Sequence, residues 1–368
     1  MTATPTGPLA GVRVLELAAL GPSPFAAMLL SDMGADVVRI DRKGSTLVPG
    51  FAILERGRRS VVLDLKSAQG LATALAMVAR TDILLEGYRP GVMERLGLGP
   101  DEALRHNPRL VYGRMTGWGQ DGPYATMAGH DMNYVALSGA LHMIGPKERP
   151  VMPLNLIGDF GGGGTYLTIG VLAALTHARA TGVGQVVDAT MVDGVVSLMS
   201  GVYGARAHGG LIDEREANIA NGSAPFMNIY ECSDGGFITL CAYEPQFYRL
   251  MVEKLGLADD PLFAEQNDPD RWAEQKLRIA RVVASATRQQ WCERLEGTDA
   301  CFAPVLTMGE APHHPHNVAR GTFVEADGMV QPAPAPRFSV TPSQIRGPQR
   351  PAGGDQNEVF AEWGIDQP

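Results

Sequence analysis

Apolar and polar positions in the first half of the chain switch repeatedly between the short β-rich runs of strands and the longer period of helices. GVRVLELA (Gly11 to Ala18) is a short β-rich run, PFAAMLLSDMG (Pro24 to Gly34) carries helix formers closed by a glycine, and ADVVRID (Ala35 to Asp41) is a second strand. SVVLDL (Ser60 to Leu65), a helical SAQGLATALAMVAR (Ser67 to Arg80) capped by Ser67, and TDILLE (Thr81 to Glu86) repeat the unit, and RLVYGRMT (Arg109 to Thr116) adds a strand. This βαβ alternation predicts an α/β fold with a doubly wound, mostly parallel, Rossmann-like sheet, whose ligand lies beyond the carboxyl ends of the strands. Candidate site residues therefore belong in the loops that follow each strand.

The second half reads differently. NIYECSDGGFITLCAYEPQFY (Asn228 to Tyr248) is a hairpin turning at Ser233 to Gly236, followed by a helix from Pro245 with Glu244 as its cap. With helical segments to about Trp291 and DACFAPVL (Asp299 to Leu306), it predicts a smaller α+β domain. The tail FVEADGMVQPAPAPRFS is proline-rich and reads as irregular chain crossing back over a surface. The expected organisation is a large α/β binding domain over 1–200, a linker over 201–223, the small α+β domain over 224–310, and a return segment over 311–368 packing on the large domain.

Composition narrows the function classes. The 368 residues, 45% hydrophobic and 19% charged, describe a globular chain able to bury a large core. A formal net charge of −9 gives no global basic field to hold nucleic acid or an anionic membrane. The start MTATPTGPLAG lacks a basic n-region and an apolar core, and there is no 18-residue uncharged apolar run, so a soluble cytoplasmic protein without membrane insertion is expected. Cys232, Cys241, Cys292 and Cys301 have no CxxC spacing and read as scattered reduced thiols. His313, His314 and His316 have no accompanying acid or cysteine cluster, and no metal is expected there.

The loops after the strands carry the candidate chemistry. ALGPSPFAA, after the first strand, has no GxGxxG, which argues against a nicotinamide or flavin cofactor. Arg42 and Lys43, then Arg56, Arg58 and Arg59, Lys66, Arg89 and Arg95 follow strand ends in an otherwise acidic chain. Each alone reads as a solvated rim, whereas together they favour a polyphosphate ligand. LNLIGDFGGGG (Leu154 to Gly164) sets Asp159 at the entry to the apolar helix TYLTIGVLAALTHARA (Thr165 to Ala180), where it could cap the helix. Capping does not require four glycines. MAGHDMNY (Met127 to Tyr134) resembles a helix start with His130 at its head. Met127, Met132, Met143 and Met152 flank the two groups in sequence and suit either an apolar bed for a ligand or core packing.

GPLAGVRVLELAALGPSPFAAMLLSDMGADVVRIDR, VVLDLKSAQG, EGYRPGVMERLGLGP, RMTGWGQDGPY, AGHDMNY, LNLIGDFGGGG, TGVGQVVDATMVDG and DACFAPVL together resemble the family III CoA-transferase superfamily. GD followed by glycine is shared across it, while G-H-D-x-N-Y and E-P-Q-F-Y resemble the α-methylacyl-CoA racemase branch. The resemblance implies an isomerase of lipid metabolism that needs no separate cofactor, the CoA moiety being part of its acyl-CoA substrate. It makes His130 and Asp159 the acid/base pair and gives Glu244 a supporting role beside His130. It makes Arg42, Leu63, Asp64, Leu65, Lys66, Gly87, Tyr88, Arg89 and Arg95 CoA-contacting positions, together with Gly129, Asp131, Met132, Asn133 and Tyr134 in the run that surrounds His130. It also implies an interlocked homodimer, in which the small domain of one chain closes the site of the other.

Such residue types suit that chemistry. Inverting a carbon α to a thioester requires a proton to leave one face and another to arrive on the opposite face, so two bases must flank the carbon. Backbone N–H groups near Gly129 to Asp131 could bind the enolate oxygen, and the glycines after Asp159 are expected to leave room for the α-carbon. A CoA-transferase using Asp159 as nucleophile is the alternative, and it would not need His130. A non-catalytic CoA-binding scaffold would keep the cationic loops and need neither base.

Overall fold

The computed structural model describes residues 6–366. Residues 1–5, on which part of the leader reading rests, and 367–368 at the end of the return segment lie outside them. The chain forms two units. The larger comprises residues up to Ala140, Pro153–Ser200 and those from His316 on; the smaller comprises Leu141–Met152 and Gly201–Pro315.

In the larger unit six strands, β1 (Arg13–Leu17), β2 (Asp36–Asp41), β3 (Arg59–Val62), β4 (Ile83–Glu86), β5 (Val111–Thr116) and β6 (Gln185–Thr190), form one sheet in the order β3-β2-β1-β4-β5-β6. Every pairing is parallel, with Leu15 opposite both Val38 and Leu84. Five of these strands are those expected from the apolar runs; β6, within TGVGQVVDATMVDG, is an addition at the edge. Side chains alternate across the pleat, so Val14, Val37, Leu85 and Val111 enter one core while Leu15, Val38, Leu84 and Tyr112 enter the other. The first core is closed by the helices Pro22–Asp32 and Tyr166–Thr181, the second by Ala68–Val78 and Gln356–Trp363. Burial on both faces is what lets consecutive apolar residues stand in these parallel strands, as at Val37-Val38 and Ile83-Leu84-Leu85. Ser67 caps Ala68–Val78, accepting from the Gly70 amide at 3.0 Å.

The return segment is built into this unit. Its Asp355 and Gln356 side chains accept the outward N–H groups of Ser60 and Val62, each at 3.0 Å, and so satisfy the free edge of β3. Phe360 and Trp363 are buried in the second core. The stretch read as irregular contains instead an antiparallel hairpin, β10 (Phe323–Ala326) with β11 (Met329–Pro332), because Asp327-Gly328 supplies its turn with two positive φ angles.

The smaller unit has a three-stranded antiparallel sheet of β7 (Met227–Glu231), β8 (Phe237–Cys241) and β9 (Phe302–Val305). Helices pack Met251, Ile279, Val283 and Trp291 onto it. The boundaries differ from those expected. Residues 201–223 belong to this unit, and so does Leu141–Met152, because the Arg215 guanidinium donates to the carbonyls of His142, Pro146 and Lys147 at 2.8, 2.9 and 3.0 Å. The return begins at His316, not at 311.

Candidate active site

Strand order reverses direction between β1 and β4, and chains that leave neighbouring strands in opposite directions open a crevice at their carboxyl ends. A cleft of about 860 Å³ lies there. It is lined by Ala18 to Pro22 after β1, Arg42 after β2, Gly87 to Pro90 after β4, Thr116 at the end of β5, and Gly117 and Trp118 after it. His130 and Asp159 line the same cleft.

His130 sits at the N-cap of the helix Asp131–Leu137. Its amide donates to the Asn133 side chain at 3.0 Å, which removes it from the N–H groups considered for an enolate oxygen and leaves those of Gly129 and Asp131 as candidates. Tyr134, one turn on, stacks edge-on against Trp118 with ring centroids 4.7 Å apart and forms one wall.

Asp159 is not a helix cap. The helical chain begins earlier, in a π-helical segment Leu156–Thr165 that runs into Tyr166–Thr181, and Asp159 lies in its first turn. The wider π turn, seen in the bond from the Phe160 amide to the Asn155 carbonyl, re-aims side chains and recurs at functional sites. Burial pushes the Asp159 carboxyl above the usual carboxylate range; a hydrogen bond from Asn155 at 3.4 Å and nearby His130 oppose the shift, while Asp131 adds to it. Asn155, four residues before Asp159, went unnoticed in the sequence; spacing of one turn from a candidate base was the signal available.

The glycines pack helices and do not open space for a substrate. A Cβ at Gly162 would meet Val195 at 2.7 Å, and one at Gly164 would meet Phe25 at 2.7 Å, so both glycines bring the π segment against its neighbours. Room beside Asp159 comes from Gly21, whose φ of +73° and ψ of −117° put it where a side chain is strained. A Cβ there would stand 3.2 Å from the Asp159 carboxylate.

The cations divide into two groups. Arg56 pairs with Asp32 at 2.5 Å and also donates to Gln331, Arg58 pairs with Glu16 at 2.7 Å, and Arg59 pairs with Asp36 and Glu362. These three are structural, because the loop expected to carry them as ligands instead leads into β3 and commits them to carboxylates, with Arg56 and Arg58 buried. Arg42 and Arg89 line the cleft and carry no ion pair among the described residues, and Arg42 lies over the Tyr88 ring at 5.9 Å. Gly87, Tyr88, Gly129 and Tyr134 also line it. Leu63 is buried in the second core; Leu63, Asp64, Leu65 and Lys66 follow β3 at the same carboxyl edge without lining the cleft. Arg95, Asp131, Met132 and Asn133 stand outside its lining. Of the methionines, Met127 lines the cleft, joined by Met115 and Met191, whereas Met132 is exposed and Met143 and Met152 belong to the smaller unit. Glu244 stands at the N-cap of Pro245–Lys254 in that unit, and its carboxylate makes no capping bond.

No helix among the described residues is long and apolar enough to cross a membrane. The family model described as CoA-transferase family III matches residues 9–357. Alpha-methylacyl-CoA racemase of Mus musculus is 46% identical over 362 residues, covering 98% of this chain and 94% of that protein. The Homo sapiens protein of the same name is 44% identical over 97% and 94%. Succinyl-CoA–D-citramalate CoA-transferase of Chloroflexus aurantiacus is 31% identical over 97% and 94%. A CaiB/BaiF family protein from Brucella suis superposes with a TM-score of 0.85 at 22% identity, covering 97% of this chain and 100% of that one, a likeness of fold. Sheet order, cleft and these matches agree: the chain belongs to CoA-transferase family III.

Proposed function

We propose that this protein racemises 2-methylacyl-CoA thioesters at the α-carbon by moving protons between two bases, His130 and Asp159, through an enolate. The observation that carries the reading is that both residues line one cleft, in a chain 46% identical to a racemase of that substrate class. Each group can accept a proton and, once protonated, return one, and a positioned acid/base group contributes ~10²–10⁴-fold. A carboxyl with raised proton affinity suits that double duty, since its two forms lie closer to balance near neutral pH. The amides of Gly129 and Asp131 at the head of a helix are offered to the enolate oxygen. Arg42 and Arg89 are offered to the phosphates of CoA, and Met115, Met127 and Met191 to the branched acyl chain. In this reading the enzyme needs no metal, flavin or nicotinamide and works in the cytoplasm as an interlocked homodimer. Glu244, whose carboxylate makes no capping bond, then supports His130 of the second chain.

The test is deuterium wash-in. Both enantiomers of a 2-methylacyl-CoA should exchange the α-proton with D₂O without added cofactor. Inversion that left the α-proton in place, or turnover that demanded a cofactor, would overturn the mechanism. Trapping of an acyl-enzyme anhydride on Asp159 by mass spectrometry would favour CoA transfer instead.

A further inference from the structure

Asp131 follows His130 directly, yet its carboxylate serves a distant part of the chain. Oδ2 accepts the backbone N–H of Asp159 at 2.7 Å, across 28 residues of sequence. Oδ1 is buried and makes no hydrogen bond among the described residues. Gly158 is what admits the group, for a Cβ there would stand 2.3 Å from Oδ2. An asparagine oxygen could accept the same amide without burying a charge, and a buried carboxylate oxygen left unpartnered costs stability. The hydrogen bond alone therefore does not account for an acid at this position.

We propose that Asp131 is a positioning residue for Asp159: one carboxylate, joined to His130 through the chain and to Asp159 through its amide, fixes the separation of the two bases and sets a negative charge beside Asp159. The inference rests on the acid/base roles given to His130 and Asp159 above. Asp131 and His130 are the charged groups acting on the Asp159 carboxyl. Other titratable and charged groups on the elements packed against the π segment are neutral, occupied or remote: Tyr134, which feels the Asp159 charge, has its hydroxyl pushed up toward the neutral form chiefly by burial, Asp32 pairs with Arg56, Arg114 with Glu86 and Glu94, Asp188 stands beside Thr190, and Asp193 is exposed. His177 and Arg179 lie near the far end of Tyr166–Thr181. A like charge raises the proton affinity of its neighbour, so neutralising Asp131 should lower that of Asp159.

The experiment uses Asp131→Asn, which keeps the hydrogen bond and removes the charge, and Asp131→Ala, which removes both. Infrared difference titration, each protein minus its Asp159→Asn counterpart, reads the Asp159 carboxyl whether or not the protein turns over. Asp131→Asn should lower the Asp159 titration midpoint by about half a pH unit or more, and the acid limb of kcat/KM should move with it in the direction in which Asp159 accepts the proton. Asp131→Ala should lose ~10²-fold in kcat in both directions with little change in KM, the size of loss expected from a small misplacement of a reacting group. An unmoved midpoint in Asp131→Asn overturns the proposal. Absence of α-proton exchange in the unaltered enzyme, with the midpoint still shifted in Asp131→Asn, overturns the racemase reading instead.

Discussion

Gly21 stands against Asp159 so closely that any side chain at position 21 would begin 3.2 Å from the Asp159 carboxylate, on a backbone conformation that L-residues avoid. The turn after β1 thus makes the space that the four glycines of the Asp159 motif do not. Gly21→Ala should cost ~1–2 kcal/mol of stability through backbone strain and also displace Asp159. Chemical denaturation and deuterium wash-in together check this. A variant with normal exchange would mean that Asp159 needs no such space.

Asp159→Asn separates base from scaffold. Racemisation should fall by ~10²–10⁴-fold, while His130 still exchanges the α-proton of one enantiomer without inverting it. Burial holds the folded carboxyl's proton affinity above its unfolded value, so its stabilising contribution is full below the unfolded value and is lost as pH rises through the raised one. Asparagine escapes that loss. The melting temperature of Asp159→Asn should therefore exceed that of the unaltered protein at neutral pH and converge with it in acid.

Arg42 and Arg89 line the cleft without an ion pair among the described residues, whereas Arg56 and Arg58 are committed to carboxylates. Alanine at Arg42 or Arg89 should raise KM for an acyl-CoA about tenfold each, the loss of one charge-assisted contact, with kcat and stability nearly unchanged. An acyl-pantetheine substrate lacking the nucleotide phosphates should not register either change.

Glu16 in β1 and Arg58 just before β3 are both almost wholly buried, 2.7 Å apart but too poorly aligned for a directional hydrogen bond. Glu16→Ala alone should destabilise the protein by ~3–5 kcal/mol, because it leaves a buried guanidinium without its counter-charge. Glu16→Leu combined with Arg58→Met should lie much nearer the unaltered protein. Urea unfolding of the three variants measures the difference.

If Glu244 serves His130 of a second chain, inactive His130→Ala and inactive Glu244→Ala chains should complement each other. Co-refolding the two should restore part of the exchange activity in heterodimers. Heterodimers that form without activity would count against a shared site.

Strand positions were legible because apolar runs bounded by turns have one economical reading, and β1 to β5 follow it. β6 was missed because half of its residues are exposed at the sheet edge, where burial does not enforce an apolar pattern. The cleft was legible in outline, since carboxyl-end loops after alternating strands converge wherever strand order reverses. What the local pattern could not convey was long-range. Arg56 and Arg58 look like ligand-binding cations until Asp32 and Glu16 are brought beside them. Asp131 looks like one more residue of the His130 motif until its carboxylate meets an amide from the π segment. The segment's origin at Leu156 was hidden because a one-residue widening of a helix leaves no periodic trace. Leu141–Met152 could not be assigned to the smaller unit without seeing the Arg215 contacts.

The anchoring of the return segment has a consequence for biosynthesis. Trp363 and Phe360 complete the second core of the larger unit, and Asp355 and Gln356 close the edge of β3, so that unit is finished only after the whole smaller unit has been translated. A ribosome adding about 5–20 residues per second makes the whole smaller unit before those residues emerge. For several seconds the nascent sheet exposes an unpaired parallel edge and an open apolar face. An exposed edge and apolar face of this kind are what holdase chaperones cover, and premature termination before Gln356–Trp363 should send the chain to proteolysis even though every residue of its cleft has been made.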